Sequence, residues 1–231
     1  MIGLTTRFST AVGTLSVPRD VISSAIFYHL TNDDYEVPEL GLLQTHLSAD
    51  DRVIELGAGI GFLANFYGRR CAHQRHLAIE ANPVMSALVR TNTQSLANVD
   101  VLNALAARPA DGASPGQAPL VPFYICDDFW ASSTEPPHSS DPTRRVLRTV
   151  HVPMVDLDAL IAERRCTMLV CDIEGGEYDL VHTFDLAVPK ILMELHWRTL
   201  GLSRALHVMQ TLESRGYRLT GSPDVLMAIK S

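Results

Sequence analysis

Short apolar runs alternate with amphipathic stretches along most of the chain. The runs contain many Val, Ile and Leu residues and end at glycine or at polar residues, which is typical of buried strands. The stretches between them repeat their apolar residues at helical spacing. The predicted strands are 52–56, 76–80, 99–104, 121–126, 146–152, 167–172, 191–196, 217–219 and 225–229.

Helix signals separate these strands. Asn82 followed by Pro83 provides an N-cap and a first-turn proline, and predicts a helix that runs to about residue 97. Asp156 is placed to cap another helix, and a third is predicted near 203–215. Repeated strand–helix units imply a mainly parallel α/β sheet with helices on both faces. The turn residues 221–224 predict that the last two strands form an antiparallel hairpin.

The first 48 residues lack this alternation. Leu40, Leu43 and Leu47 share one helix face, and we interpret residues 1–48 as a helical extension that contributes to the substrate side of the protein. Residues 49–231 would then form one α/β domain.

Two stretches interrupt the predicted domain, near 109–119 and 131–143. Their Pro, Ser, Gly and Asp content predicts loop insertions between strands. The second insertion is either a mobile surface loop or a lid over the substrate. Trp130, just before it, is either an aromatic contact at the hinge or a core residue.

The composition narrows the function classes. The 231-residue chain has a formal net charge of −7 and no run of basic residues, which argues against nucleic-acid binding. It contains no run of about 18 apolar residues, so we expect no membrane span. The start shows no signal-peptide pattern, and the four scattered cysteines fit a reducing compartment. We therefore expect a cytoplasmic protein with a small-molecule partner, and a homodimer is one option for its assembly.

A glycine-rich turn follows the strand at 52–56. Gly57 and Gly59, with Ala58 between them, would let the backbone approach a bound nucleotide, and Gly61 would let helix and strand pack closely. The spacing is shorter than the G-x-G-x-x-G pattern of dinucleotide-binding proteins. The carboxylate of Glu55, before the turn, favours a cofactor with cationic groups. S-adenosylmethionine has an ammonium and a sulfonium group, so these features predict that cofactor.

The next strand ends at a second acidic residue. Glu80, at the carboxyl edge of the predicted sheet, can accept hydrogen bonds from both hydroxyls of a ribose. We therefore predict that Glu80 and the adjacent Ala81 bind the cofactor. Asn103, at the end of the third strand of the domain, would lie near the adenine, and the alternative interpretation is a turn-forming asparagine.

Two further groups of polar residues follow later strands. Asp172, Glu174 and Glu177 lie at a strand-to-helix turn, where their mutual repulsion needs an offsetting cofactor, substrate cation, metal ion or solvent. Glu177 alternatively favours the positive end of the following helix. Glu194 and His196 fall on one side of the next strand, at the edge where open α/β sheets bind ligands. A histidine in that position can take a proton at neutral pH.

Taken in order, these motifs resemble the FkbM family of methyltransferases. The family implies a Rossmann-like class I methyltransferase fold with a seven-stranded sheet, S-adenosylmethionine at its carboxyl edge, and O-methylation of natural-product or sugar hydroxyls. The likeness covers about residue 35 to the end of the chain. The matching segments are Tyr35-Glu36, 55–61, 80–83, 155–160, 172–177 and 193–196.

Two positions depart from the usual pattern of this family. Val170 stands where the family often has a lysine, two residues before Asp172, and this changes the expected active-site arrangement or substrate. Glu55 and Gly59 replace an aspartate and an asparagine of the first motif. The second departure brings that motif nearer to the general methyltransferase form and leaves the predicted cofactor unchanged.

The predicted reaction is transfer of the sulfonium methyl group to a substrate oxygen by in-line displacement. His196 is the predicted base, oriented by Glu194, while Asp172 and Glu174 position the acceptor. The alternatives are N-methylation of an amino sugar or peptide, a nicotinamide-dependent oxidoreductase and a non-catalytic S-adenosylmethionine-binding protein. No metal site is predicted, although the Asp172 and Glu174 carboxylates leave a metal-dependent variant open.

Overall fold

The computed structural model describes residues 4–108, 119–126, 132 and 145–231. Of the insertion expected near 131–143, only Ser132 belongs to these residues, and Trp130 lies outside them. Of the insertion expected near 109–119, only Pro119 is described. In chain order the elements are β1 (Thr5–Thr10), β2 (Gly13–Pro18), α1 (Ser24–Asn32), α2 (Val37–His46), β3 (Val53–Leu56), α3 (Phe62–Arg70), β4 (His76–Ile79), α4 (Pro83–Thr93), β5 (Val99–Leu102), β6 (Leu105–Ala106), β7 (Leu120–Cys126), β8 (Val146–Val155), α5 (Leu157–Arg164), β9 (Met168–Cys171), α6 (Glu177–Thr183), β10 (Lys190–Glu194), α7 (Trp197–Leu200), α8 (Leu202–Ser214), β11 (Tyr217–Gly221) and β12 (Val225–Lys230).

Seven strands form the main sheet, in the spatial order β11-β12-β10-β9-β3-β4-β5. The five strands from β10 to β5 run parallel to one another. At the other edge β12 is antiparallel to both β10 and β11, so the chain ends in an antiparallel hairpin. The structure confirms the predicted Rossmann-like class I methyltransferase fold, including its mainly parallel seven-stranded sheet.

The sheet is buried on both faces. Met168 and Val170 of β9 belong to a core with α2, α3 and α4, whereas Leu169 and Cys171 belong to a second core with α5, α6 and α8. All four side chains are at most 2% exposed. A strand that is covered on both faces has a continuous run of apolar residues. These strands were therefore predicted from their apolar runs rather than from alternation of apolar and polar residues.

The prediction that residues 1–48 are helical is wrong for the first part of this segment. β1 and β2 form an antiparallel hairpin that pairs Thr5 with Pro18 and Thr10 with Gly13. Leu15 and Val17 are fully buried and lie two residues apart, which is strand periodicity rather than helix periodicity. Helices begin only at Ser24.

The later part of the N-terminal segment is helical, as predicted. α2 buries Leu40 and Leu43, and Leu47 is buried directly after the helix ends. These three leucines lie in the same core as residues of β3 and β9. The division into an extension and a domain at residue 48 stays a prediction, since the N-terminal segment and the main sheet share this core.

The strands predicted at 121–126 and 146–152 are present but lie outside the main sheet. β7 and β8 pair antiparallel, and the short β6 joins β8 in parallel to complete a three-stranded sheet. Phe123, Ile125 and Val152 form a small core of their own in this sheet. No helix among the described residues combines the length and the apolar character that crossing a membrane requires.

The loops that follow β3 and β9 are in direct backbone contact. Gly57 has a φ of 78°, and a Cβ atom placed on it would lie 1.6 Å from the carbonyl oxygen of Asp172. That distance is far below any tolerated contact, so residue 57 must be glycine for the two loops to take this arrangement.

A buried polar pair lies behind the same loop. Glu55 of β3 is 3% exposed, and the hydroxyl of Tyr67 on α3 donates a hydrogen bond of 2.9 Å to its Oε2. Burial raises the pKa of Glu55 to about 8. At neutral pH Glu55 is therefore mainly protonated, and it carries little of the negative charge that the sequence analysis placed beside the cofactor.

We expect Gly57→Ala to lower the stability of the fold strongly. A left-handed conformation costs a non-glycine residue about 1–3 kcal/mol, and the collision with Asp172 adds to this cost. Thermal unfolding followed by circular dichroism should show a fall in melting temperature of at least about 5 °C. Gly41→Ala is the matched control, because Gly41 lies in α2 with no atom within 4 Å of the added Cβ, and it should leave the melting temperature equal or higher. Equal melting temperatures of wild type and Gly57→Ala would contradict the contact.

Glu55→Gln should remove a pH-dependent loss of stability. The folded-state pKa of Glu55, about 8, lies above the ordinary value of 4.5. The free energy of unfolding that the protonated Glu55 contributes is therefore complete below pH 4.5 and is lost as the pH rises to 8. Over that window the wild type should lose up to about 1.4 kcal/mol per pH unit more than the variant. Urea unfolding between pH 5.5 and 8.5 measures this difference in slope, and parallel curves would show that Glu55 titrates normally.

Candidate active site

A cavity of about 760 Å³ lies at the carboxyl ends of β3, β4, β9 and β10. This is the edge at which open α/β sheets bind ligands, and the volume falls within the usual range for ligand pockets. Many of the polar and glycine residues that line it come from four regions: the N-terminal segment, the glycine turn, the end of β4, and the loops after β9 and β10. They include Tyr35, Glu36, Glu39, Gly57, Gly59, Glu80, Asn82, Asp172, Glu174 and Glu194. Arg108 and Arg204 also line the cavity, from outside these regions.

The glycine turn forms one wall of the cavity. Gly57, Gly59 and Gly61 have φ angles of 78°, 51° and 81°, so the turn depends on the left-handed region. Gly57 and Gly59 line the cavity, whereas Ala58 and Gly61 are buried behind it. A Cβ on Gly61 would lie 3.2 Å from the Cα of Val89, so Gly61 allows close packing of α3 on α4 rather than of helix on strand.

Glu80 joins the glycine turn to the end of β4. Its Oε2 accepts a hydrogen bond of 2.9 Å from the amide of Gly59, and its Oε1 accepts one of 2.7 Å from the amide of Asn82. Burial raises its pKa to about 7, although these backbone donors oppose the increase. A carboxylate has about four acceptor positions, so Glu80 can accept further hydrogen bonds from a ligand. Ala81, the next residue, also lines the cavity.

Besides Ala58 and Gly61, two more of the residues predicted to bind the cofactor, Asn103 and Glu55, do not line the cavity. The side-chain amide of Asn103 donates hydrogen bonds of 2.8 and 2.9 Å to the carbonyl oxygens of Glu80 and Ala81. Asn103 therefore fixes the end of β4, and its place near an adenine stays a prediction. One carboxyl oxygen of Glu55, Oε2, accepts the hydrogen bond of Tyr67 on α3, and a role of Glu55 in cofactor binding stays a prediction.

Acidic residues form the opposite wall, and the loop after β9 supplies two of them. Asp172 continues the register of β9, because its amide donates to the carbonyl of Leu56 at 3.0 Å. Glu174 has a φ of 55°, and Gly175 follows with a φ of 108°. A left-handed glutamate is strained by about 1–3 kcal/mol, and such strain is commonly found at functional sites.

His196 lies at the centre of the acidic residues. Its Nδ1 is 2.8 Å from Oε1 of Glu177. Its Nε2 is 3.2 Å from Glu174 Oε2, 3.5 Å from Asp172 Oδ1 and 3.6 Å from Glu194 Oε1. We call these five side chains the carboxylate–histidine cluster. The structure thus brings together all four residues that the sequence predicted to be catalytic, and adds Glu177.

The partners of His196 differ from those that the sequence suggested. β10 ends at Glu194, and His196 is the residue before α7, so the two do not continue one strand. Glu177, which is fully buried, makes the close hydrogen bond that orients the imidazole. Glu194 instead faces the other ring nitrogen. The cavity is lined by Asp172, Glu174 and Glu194, whereas His196 lies behind them.

The electrostatics of the cluster favour a charged imidazole. Burial disfavours the charged form, but the hydrogen bond to Glu177 and the nearby Glu174 carboxylate outweigh it and raise the pKa of His196 to about 9. The pKa of Asp172 is also raised well above its usual range, first by burial and then by the Glu174 and Glu194 carboxylates. At neutral pH His196 therefore holds a proton, which is the opposite of what a free base requires.

The N-terminal segment adds three polar residues that sequence reasoning did not assign to the site. Tyr35 packs edge to face on Phe62 at a centroid distance of 5.4 Å, which holds the segment against α3. Glu36 has a φ of 51° at the start of α2, and burial raises its pKa. Glu39 is 7% exposed, and its Oε2 makes no hydrogen bond within the described part of the chain. The resemblance of Tyr35-Glu36 to the family motif was the available signal.

Solved structures similar to this chain include three methyltransferase-fold proteins. A precorrin-6y C5,15-methyltransferase from Geobacter metallireducens is 14% identical, with 84% of this chain and 89% of that chain covered and a TM-score of 0.47. A ribosomal protein L11 methylase from Lactobacillus delbrueckii subsp. bulgaricus is 10% identical, with 87% and 81% covered and a TM-score of 0.48. Aeropyrum pernix fibrillarin, solved with natively bound S-adenosyl-L-methionine, is 12% identical, with 99% and 83% covered and a TM-score of 0.43. None of the curated proteins compared with the chain matches it.

A known family matches the region that forms the site. The Methyltransferase FkbM domain matches residues 55–219, which is more than half of the chain. The match begins at Glu55, directly before the glycine turn, and it includes Glu80 and the whole carboxylate–histidine cluster. As the order of its motifs indicated, the chain belongs to the FkbM family of methyltransferases.

Proposed function

We propose that this methyltransferase uses S-adenosylmethionine to methylate a hydroxyl group of a small molecule, of the natural-product or sugar class. One observation carries the proposal: a single cavity joins the glycine turn and Glu80 to the carboxylates of Asp172, Glu174 and Glu194. A cofactor at the first wall and an acceptor at the second would meet within one enclosed space. Holding the two reactants together in line supplies much of the rate enhancement of such a transfer.

The cavity wall around the glycine turn fits the cofactor. Gly57 and Gly59 expose backbone without side chains, and Glu80 retains acceptor positions for the two hydroxyls of a ribose. The carboxylates across the cavity match a ligand that carries an ammonium and a sulfonium group. S-adenosylmethionine supplies an electrophilic methyl group whose leaving group is a neutral thioether.

The acceptor side of the cavity is rich in carboxylate oxygens. A hydroxyl group becomes a good nucleophile only when its proton is shared with a base, so an acceptor must lie against a proton-accepting atom. Asp172 and Glu174 line the cavity and would contact the acceptor directly, while His196 holds their carboxylates from behind. Glu36 and Glu39 extend this polar wall on the N-terminal side.

The same wall supports N-methylation as a second candidate function. Several carboxylates around one cavity would attract a protonated amine more strongly than a neutral hydroxyl group. An amine also needs less help from a base once it has lost its proton. Methyl transfer from ¹³C-labelled S-adenosylmethionine to panels of sugars and amino sugars separates the two, because the chemical shift of the product methyl distinguishes oxygen from nitrogen.

The first test of the proposal is calorimetric titration with S-adenosylhomocysteine and, separately, NADH. We expect micromolar binding of S-adenosylhomocysteine and no binding of NADH. Glu80→Ala should weaken binding of S-adenosylhomocysteine by about 5- to 150-fold, because buried hydrogen bonds worth about 1–3 kcal/mol are lost. Preference for NADH, or no binding of either ligand, would overturn the assigned cofactor.

Glu163→Ala provides the control for this titration. The Glu163 side chain is 70% exposed on α5, so its removal should leave the affinity for S-adenosylhomocysteine within about twofold of wild type. An equal loss in both variants would show that the effect of Glu80→Ala is not local. A melting curve of each variant confirms that the proteins compared are folded.

Asp172→Asn should slow methyl transfer much more than it weakens cofactor binding. Removal of one proton-accepting group typically lowers kcat by about 10²–10⁴-fold. Asp50→Asn is the matched control, because Asp50 is exposed before β3 and does not line the cavity, and its kcat should change less than about threefold. Steady-state kinetics with an acceptor found in the labelling screen measures both values. Similar kcat values for the two variants would exclude Asp172 from the reaction.

A further inference from the structure

We propose that Asp172, Glu194 and His196 bind a divalent cation of the Mn²⁺ type at the acceptor side of the cavity. The inference deepens the proposed function and rests on it for the identity of the reaction, but cation binding itself is measurable without any substrate. The sequence analysis predicted no metal site, because the three residues are separated along the chain and only the fold brings them together.

The ligand atoms have a spacing that suits one ion. One carboxylate oxygen from each of Asp172 and Glu194 and one imidazole nitrogen of His196 lie within 4.8 Å of one another. Opposite ligands of an octahedral Mn²⁺ or Mg²⁺ ion are separated by about 4.2–4.4 Å, and adjacent ones by about 3 Å. The three side chains would move together by only a few tenths of an ångström to bind the ion. Such a contraction is expected when a cation replaces the repulsion between two carboxylates.

The imidazole is already oriented with Nε2 toward this position, and a bound ion would replace the Nε2 proton, which is released to solvent. Glu177 Oε1 pairs with Nδ1 of His196 at 2.8 Å and also accepts a hydrogen bond of 3.0 Å from the amide of Gly175. Metal-binding histidines usually donate their second N–H to a carboxylate or a carbonyl in this way, which fixes the ring and makes the other nitrogen a better ligand. Glu177 is fully buried, and its Oε2 makes no hydrogen bond within the described residues. We infer that Glu177 is a positioning residue of the cation site.

Two buried carboxylate oxygens near the site have no hydrogen-bond donor within the described residues. Asp172 Oδ1 is buried and makes no hydrogen bond among the residues described. Glu39 is 7% exposed and lines the same cavity, and its Oε2 likewise has no hydrogen-bond partner in the described part of the chain. Buried acceptors without donors cost free energy, and a cation with bound water molecules would satisfy both of them.

The ligand set selects the class of cation. Carboxylate oxygens favour Mg²⁺, Ca²⁺ and Mn²⁺, whereas imidazole nitrogen favours the transition metals, and Mn²⁺ accommodates both. Three protein ligands leave about three positions of an octahedral ion open. Asp172 and Glu194 line the cavity, so these positions would be open to an acceptor hydroxyl, whose acidity a bound cation increases.

Mn²⁺ titration of the chelator-treated protein, followed by electron paramagnetic resonance of free Mn²⁺, tests the site. We expect one saturable site per chain with a micromolar dissociation constant. Asp172→Asn, Glu194→Gln and His196→Gln should each raise that constant at least about tenfold. Glu213→Gln is the matched control, since Glu213 is exposed on α8, and it should bind like wild type. Unchanged binding in the three ligand variants would overturn the proposal, as would absence of saturable binding to the wild type.

A second measurement identifies the nitrogen ligand. Electron spin-echo envelope modulation of the Mn²⁺ complex should show coupling to an imidazole ¹⁴N nucleus, and His196→Gln should abolish it. Coupling that persists in His196→Gln, or that is absent from wild type, would show that the ion lies elsewhere. Glu177→Leu should weaken Mn²⁺ binding about tenfold, and Glu177→Gln, which still offers an oxygen to Nδ1, should recover most of the affinity.

The cation site and the proposed function fail independently. S-adenosylhomocysteine is titrated by calorimetry into the wild type and into each variant used for the Mn²⁺ measurements, with and without Mn²⁺. Binding of S-adenosylhomocysteine without any Mn²⁺ binding would leave the proposed function standing and remove the cation site. Binding of Mn²⁺ at His196 without binding of S-adenosylhomocysteine would support the cation site and overturn the proposed function.

Discussion

The contact between the backbone of Gly57 and the carbonyl of Asp172 is the constraint on which the site depends. It brings the loop after β3 against the loop after β9, two segments that are more than a hundred residues apart in the sequence. Because residue 57 has no side chain, the wall that carries Glu80 and the wall that carries Asp172 enclose one cavity. A larger residue would separate the two loops, and the proposed cofactor and acceptor sites would no longer adjoin.

The second feature of the site is an excess of negative charge that the fold concentrates rather than disperses. Asp172, Glu174, Glu177 and Glu194 all approach one imidazole, and the cost of gathering them appears as raised pKa values for Asp172 and Glu194, to which burial is the largest contributor. Protonated His196 offsets one charge only. The remaining imbalance is specific to the cavity, since ordinary surface carboxylates are solvated. A cationic cofactor, a protonated amine acceptor or a divalent cation would each offset part of this charge.

Much of the fold was readable from the sequence, and the parts that were not have identifiable causes. The glycine turn and the runs 167–172 and 191–196 gave the sheet and its functional edge, because buried parallel strands need apolar side chains on both faces. The N-terminal hairpin was missed because the alternation at Leu15 and Val17 is short and lies in a polar segment. The partner of His196 was missed for a different reason: the fold brings Glu177, at the start of α6, to Nδ1 of the residue before α7, which no local pattern records.

The family match separates the cavity residues of the N-terminal segment from the rest of the cavity. The match starts at Glu55 and so contains the glycine turn, Glu80 and the carboxylate–histidine cluster, but it excludes Tyr35, Glu36 and Glu39. The residues proposed for methyl transfer therefore all lie in the part that the family model matches. The N-terminal segment supplies cavity residues from outside that part, held in place by the contact of Tyr35 with Phe62. We propose that this segment contributes to selection of the acceptor, and it is separate from the residues that form the glycine turn and hold Glu80, which lie entirely after residue 54.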